Sequence, residues 1–216
     1  MMLPFHDDGD VDALAPGVAR HLAGGGLLAY PTETVYGLGS APTAAAVQTL
    51  ARLKGRPDNK PFLLLISDLA MLHASGLVLG AAGRVLAREF WPGPLTLVLR
   101  GGEGKLPEQL RGREGGIAVR WTSQKLVARL IGRLGHPLTS TSANRPGNAA
   151  APGPDGITAL FPEAVASGAL MILDGGVLGN VPPSTLVDCT GPVPRLIREG
   201  AIPRGELRRR AGSMAP

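Results

Sequence analysis

A chain of 216 residues, 44% hydrophobic and 18% charged, has the apolar mass of one globular domain, which excludes a disordered or fibrous chain. Its 31 glycines and 20 prolines are spread between apolar runs, so they mark many turns in an ordered, loop-rich fold. A net charge of +5, carried mainly by arginine, suits a polyanion such as a nucleotide or RNA or serves only solubility, while 4% aromatic residues argue against a stacking platform for single-stranded nucleic acid.

Val11, Leu14, Ala15, Val18, Ala19 and Leu22 recur at helical spacing, and Gly24-Gly25-Gly26 ends the helix they predict. Leu27-Leu28-Ala29-Tyr30 reads as a buried strand that stops at Pro31, which has no N–H for a sheet ladder. The loop that follows carries Thr32, Glu33, Thr34 and Tyr36 before Gly37 and Gly39. Hydroxyls at the carboxyl end of a strand stand where open α/β sheets bind ligands. The same ten residues read equally well as a Thr-rich turn satisfying its own backbone.

Residues 43–54 form a second helix, with Thr43 as N-cap, Val47, Leu50 and Ala51 on its apolar face and Gly55 as its stop. Strands are predicted at 61–67, 95–99 and 117–121, the last carrying Arg120, and helices at 68–74, 81–90 and 123–134. A short strand from Pro137 runs into Thr139-Ser140-Thr141-Ser142-Ala143-Asn144, followed by a loop over 145–156. Apolar runs at 169–173, 184–189 and 195–198 complete the strands, and residues 204–216, rich in arginine, read as a disordered tail. Strands mixed with helices along one chain indicate an α/β domain over residues 10–203.

Some chemistries are excluded early. The single cysteine, Cys189, rules out an internal disulfide, and the four histidines lie far apart without metal-ligand spacing. No run approaches the roughly 20 apolar residues that cross a membrane. The first twelve residues are acidic, unlike a signal peptide, so a cytoplasmic location is expected. Neither a Gly-x-x-x-x-Gly-Lys-Ser/Thr phosphate loop nor a Gly-x-Gly-x-x-Gly fingerprint occurs.

The chain instead offers cations, hydroxyls and glycines. Lys54-Gly55-Arg56-Pro57-Asp58-Asn59-Lys60 sets three cations in seven residues, able to clamp phosphates or to complement a helix C-terminus. Thr139 to Asn144 supplies four hydroxyls and an amide, donors for phosphate or ribose oxygens or an ordinary Ser/Thr turn. Ser184 opens another strand, and Arg120 and Arg198 in apolar runs need an anionic partner. Such an inventory catalyses by positioning and charge neutralisation.

Seven collinear stretches together resemble the YrdC/Sua5 family of threonylcarbamoyl-AMP synthases: YPTETVYGLG at 30–39, KGRPDNKPF at 54–62, WPGPLTLVL at 91–99, IAVR at 117–120, TSTSAN at 139–144, STLVDCT at 184–190 and IREGAI at 197–202. The resemblance implies a twisted mixed α/β sheet, with helices, around a large basic concave cavity. It implies that L-threonine, bicarbonate and ATP yield threonylcarbamoyl-adenylate and pyrophosphate, with Mg2+ accompanying ATP and no protein metal site. A tRNA threonylcarbamoyl-transferase complex is the implied partner, with tRNA itself a candidate ligand. Carried over by residue, Lys54, Arg56, Lys60, Ser142, Asn144 and Arg198 hold ATP; Thr34, Arg120, Ser140 and Ser184 hold threonine; Thr32, Tyr36 and Thr141 line the site. Lys54 and Arg56 are the expected transition-state stabilisers. The chain departs from the family pattern at Leu65, where a histidine is common, at Gly116, often Thr or Ser, at Trp121-Thr122, where Arg-x-Pro is usual, and at Pro146, where Ser is usual. A paralogue binding RNA or nucleotide without catalysis and an adenylating carbamoyltransferase on another acceptor are the competing readings.

Overall fold

The computed structural model describes residues 1–56, 60–179 and 181–211; Pro57, Asp58 and Asn59 of the cationic segment and residues 212–216 of the expected tail lie outside them. In chain order the first half runs β1 (Met2–Pro4), α1 (Asp8–Ala23), β2 (Leu27–Tyr30), β3 (Gly37–Gly39), α2 (Ala44–Lys54), β4 (Leu63–Ile66), α3 (Leu69–Ala74), β5 (Leu77–Val78), α4 (Ala81–Phe90) and β6 (Leu95–Gly101). The second half runs β7 (Ile117–Trp121), α5 (Lys125–Leu134), β8 (Leu138–Ser142), α6 (Pro154–Leu160), α7 (Pro162–Ala166), β9 (Leu170–Asp174), β10 (Thr185–Asp188), β11 (Arg195–Arg198) and α8 (Arg204–Ala211).

The strands join one mixed sheet in the order β1-β9-β2-β3-β8-β4-β7-β6-β10-β11, with β5 on the edge of β6. β2 and β4 are apolar throughout because their side chains alternate between two buried faces. In β2, Leu27 and Ala29 enter one core while Leu28 and Tyr30 enter the other. In β4, Leu64 and Ile66 join the first core and Leu65 the second. The first core is covered by α2, α4 and α8, through Val47, Leu50, Leu86, Phe90 and Leu207. The second lies under α1 and α5, through Val11, Val18, Leu22, Val127, Leu130 and Ile131.

That second helical layer does not extend over the whole face. Leu65 and Leu138 are covered, but Leu63 and Ser140, two residues along the same strands, line an open cleft. Further across, Thr96 of β6, Ala118 and Arg120 of β7 and Leu186 of β10 line it too, while their neighbours Leu95, Leu97, Val119 and Val187 sit in the first core. The cleft therefore forms where one face of the sheet loses its helical cover. The alternation within Leu-Thr-Leu-Val-Leu and Ile-Ala-Val-Arg is what gives it polar groups on an apolar scaffold.

The structure corrects several boundaries. The domain begins before residue 10, because β1 pairs in parallel with β9. Arg204–Ala211, expected to be disordered, is helix α8, held by Leu207, which is fully buried. Residues 154–166 are helices α6 and α7, each opened by a proline at the first turn, where its missing N–H costs nothing. Among the described residues no helix is long and apolar enough to cross a membrane.

Candidate active site

The threonine loop is built on a close approach of backbone and ring. A Cβ on Gly39 would lie 2.2 Å from the Thr139 carbonyl oxygen and 3.0 Å from the Tyr30 ring, and one on Gly37 would lie 2.9 Å from the same ring. Glycine at both positions lets Tyr30 lie across β3, where its hydroxyl donates to Thr139 O at 3.0 Å. β3 can then pair with β2 on one side and β8 on the other, which brings the loop at 31–36 next to Ser140 and Ser142.

Within the loop the two threonines divide the work. Thr32 donates its hydroxyl to Val35 O at 2.7 Å and receives the amides of Thr34 and Val35, each at 3.2 Å, so it largely satisfies its own turn. Because that proton is committed, the 3.0 Å contact between the two hydroxyls has Thr34 donating to Thr32. Thr34 Oγ1 is left to accept from Arg120 Nη1 at 3.2 Å. Tyr36, expected in the site, is not among the cleft-lining residues. It is buried in the first core, donates to Gly176 O at 2.8 Å and accepts from Gly175 N at 3.0 Å, which ties the loop to the end of β9.

The cleft measures about 770 Å3 counted to its open mouth, and its polar lining consists of Thr32, Thr34, Arg56, Thr96, Arg120, Ser140, Thr141, Ser142, Ser184 and Arg198. No carboxylate occurs among the described residues that line it. Three arginines from separate elements meet there. Arg56 follows Gly55, whose left-handed φ of 62° ends α2. Its guanidinium donates to Lys60 O at 2.6 Å, Pro61 O at 2.8 Å and Thr141 Oγ1 at 3.1 Å, and it lies 4.7 Å above the Phe62 ring. Arg198, at the end of β11, donates to Ser184 O at 2.9 Å. Burial, and then Arg198, lowers the Arg56 pKa; burial, and then Arg120, lowers that of Arg198. The three cations repel one another in a partly dry space, a condition that an anion relieves.

Ser184 and Thr96 share a hydrogen bond of 2.8 Å across β10 and β6. Thr96 was missed by the sequence reading, although a lone hydroxyl inside Leu95–Leu99 was its signal. Lys54, Lys60 and Asn144, expected to touch ATP, are absent from the lining. Lys54 is buried, and its ammonium donates to Ser142 O, Asn144 Oδ1 and, at 3.0 Å, Asn144 O. All three of its protons are thus used to fix the end of β8. Burial, and then Arg56, pushes its pKa down to about 8. Ser142 donates its hydroxyl to Asn144 Oδ1 at 2.9 Å and lines the cleft itself. Lys60 contributes its carbonyl to Arg56, and its side chain borders a separate groove beside α2.

Three of the departures from the family pattern, at Leu65, Gly116 and Thr122, have local explanations. Leu65 is fully buried under α5, away from the opening. At position 116 a Cβ would lie 2.5 Å from Val98 Cγ1 and 2.8 Å from Thr190 Cγ2, so only glycine fits without a shift. Thr122 donates its hydroxyl to Glu33 at 2.6 Å, a contact proline cannot make. Cys189 is buried, and its thiol is pushed up to about 12 by burial and by Asp188, so it is no nucleophile.

Among the described residues no cluster of His, Cys, Asp or Glu is placed to hold a metal ion. Among the described residues the charged and polar lining is cations and hydroxyls, a set that fits a Mg2+ brought in on a nucleotide's phosphates.

A family model described as telomere recombination, Sua5_yciO_yrdC, matches residues 20–200. A threonylcarbamoyl-AMP synthase of Nitrosococcus oceani is 46% identical over 130 residues, 60% of this chain and 70% of that one. A protein of the same name from Thiobacillus denitrificans is 38% identical over 182 residues, 83% of this chain and 94% of that one. The solved structure of P. abyssi Sua5 complexed with L-threonine superposes with a TM-score of 0.86 at 29% identity, over 99% of this chain and 62% of the longer Sua5 chain. On a match spanning most of its length, the chain belongs to the Sua5/YciO/YrdC family.

Proposed function

We propose that this protein is an L-threonylcarbamoyladenylate synthase, a nucleotidyltransferase that makes its product from L-threonine, bicarbonate and ATP with release of pyrophosphate. The observation that carries the reading is the cleft itself, in which three arginines and a row of hydroxyls converge with no carboxylate among the described lining residues. Relatives that bear the synthase name, and a structural neighbour complexed with L-threonine, support the same reading over the binding paralogue and the transferase to another acceptor.

The residues divide by chemistry. Arg120, Thr34, Ser140 and Ser184 form the amino-acid end, with Arg120 pairing the threonine carboxylate. Arg56, Thr141, Ser142 and Arg198 form the phosphate end, and Lys54 holds Ser142 and Asn144 in place behind it. Threonine's amine takes up bicarbonate with loss of water to give a carbamate, whose oxygen attacks the α-phosphate as pyrophosphate leaves. No protein nucleophile is needed; Arg56 and Arg198 stabilise the charge that develops on the phosphates. Mg2+ bound to the phosphates of ATP supplies further charge neutralisation. A cytoplasmic location and delivery of the product to a tRNA threonylcarbamoyl-transferase complex complete the proposal.

Product analysis with 13C-labelled bicarbonate tests it. Mass spectrometry is expected to find the label in a threonine- and AMP-containing product that forms only when all three substrates are present. Unlabelled AMP alone, or no nucleotide product, would reject the synthase reading.

A further inference from the structure

Glu33 sits in the middle of the threonine loop and points the other way. Thr32, Thr34 and Val35 line the cleft, and Glu33 does not. Its Oε2 accepts the Thr122 hydroxyl at 2.6 Å, and its Oε1 stands 3.8 Å from Nε of Arg120. Both Glu33 Oε1 and Arg120 Nε are shielded from solvent, and neither has a hydrogen-bond partner among the described residues. The Arg120 side chain is only 5% exposed, so its charge needs an anion nearby even when no substrate is bound. Glu33 is the carboxylate that meets this need, and it is itself held from the far side by Thr122. Thr122 is anchored in turn, because its hydroxyl accepts Gln124 N at 3.2 Å, just where Gln124 caps α5 by accepting Val127 N at 3.0 Å.

We propose that Glu33 and Thr122 are positioning residues for Arg120, forming a relay Thr122–Glu33–Arg120 that aims the guanidinium at the carboxylate of the amino-acid substrate. Neither residue touches substrate. Arginine has four rotatable side-chain bonds, and Thr34 fixes only the Nη1 end. Glu33 constrains the Nε edge from behind the cleft. The 3.8 Å gap leaves both facing atoms able to close into a direct hydrogen bond when a ligand carboxylate draws on the other side of the guanidinium. The proposal rests on the reading of Arg120 as the partner of threonine's carboxylate.

The test compares L-threonine with L-threoninamide, which lacks the carboxylate, in wild type, Thr122→Val, Thr122→Ser and Glu33→Gln. Pyrophosphate release gives KM and kcat, and calorimetry gives direct binding of each compound. Thr122→Val and Glu33→Gln are expected to raise KM for threonine about tenfold, as loss of a charge-assisted hydrogen bond does, with kcat within about twofold and KM for ATP unchanged. The preference for threonine over threoninamide is expected to shrink in the same two variants and to return in Thr122→Ser, which keeps the hydroxyl. An undiminished preference in Thr122→Val would overturn the relay, and so would a fall in kcat alone. Should Glu33→Gln fail to fold, the Thr122→Val and Thr122→Ser pair decides. Wild type that binds threonine without releasing pyrophosphate would defeat the synthase reading, and the binding comparison would still decide the relay.

Discussion

Lys54 stands behind the proposed phosphate end of the cleft without facing it. The sequence places it beside Arg56 in a cationic segment; the structure turns its ammonium onto three oxygens of residues 142 and 144. Its role then depends on its charge, since neutral lysine has only two protons for three acceptors. Its folded pKa of about 8 lies below the ordinary lysine value, so the cation is present below that pH and lost as pH rises through it. kcat/KM for ATP is accordingly expected to fall above about pH 8, and Lys54→Arg to move the fall upward because arginine stays charged. A pyrophosphate-release profile measured from about pH 7 to about pH 10 checks this; a flat profile would contradict it. The motif placed Lys54 close to Arg56 and to the end of β8, and the structure keeps it there. Its direction was not legible, because nothing in the sequence says that the β8 carbonyls pass within its reach.

At the scale of elements, the helices with repeated apolar positions and a capping residue could be read from the sequence. Thr43 and Gly55 bound α2 as expected, with Thr43 Oγ1 accepting Ala46 N at 3.3 Å. The strands β1, β3 and β5 were missed because each is two or three residues long, and β3 contains two glycines that sheet propensity opposes. In β3 the glycines are needed for Tyr30, which only the paired structure reveals. Gly39→Ala is therefore expected to cost about 2–4 kcal/mol of stability, because its methyl meets a backbone carbonyl that cannot yield. Gly55→Ala, at φ 62° with open space around it, is expected to cost only about 1 kcal/mol. Urea denaturation of the two variants gives the comparison, and equal losses would argue against the close-approach reading. α8 escaped because its six described side chains include four arginines and one buried apolar group, too few for a periodic signal. Leu207→Ala is expected to cost about 2–5 kcal/mol, whereas a disordered tail would give no change in the same denaturation curve.

For the whole molecule, the sheet sets the position of the cleft and the arginines set its preference. The second helical layer stops at the level of Leu65 and Leu138, and the strands beyond it present Arg120, Ser140 and Thr96 to the cleft. Since the three arginines repel one another when the cleft is empty, pyrophosphate is expected to raise the melting temperature by about 5–10 °C at saturation. The rise is expected to shrink in Arg56→Ala, and a phosphate site elsewhere would leave it unchanged. The basic cavity and a separate set of residues for each substrate were expected from the resemblance, whereas the meeting of Arg56, Arg120 and Arg198 in one cleft was not legible in the sequence, because only the tertiary pairing brings them together. Pyrophosphate release by wild type, Arg56→Ala and Arg120→Ala, with threonine and ATP each varied in turn, tests that division most directly. Arg56→Ala is predicted to raise KM for ATP and Arg120→Ala to raise KM for threonine, each about tenfold or more and each sparing the other substrate. If both variants impair the same substrate, or wild type releases no pyrophosphate with threonine, the two-ended cleft is wrong.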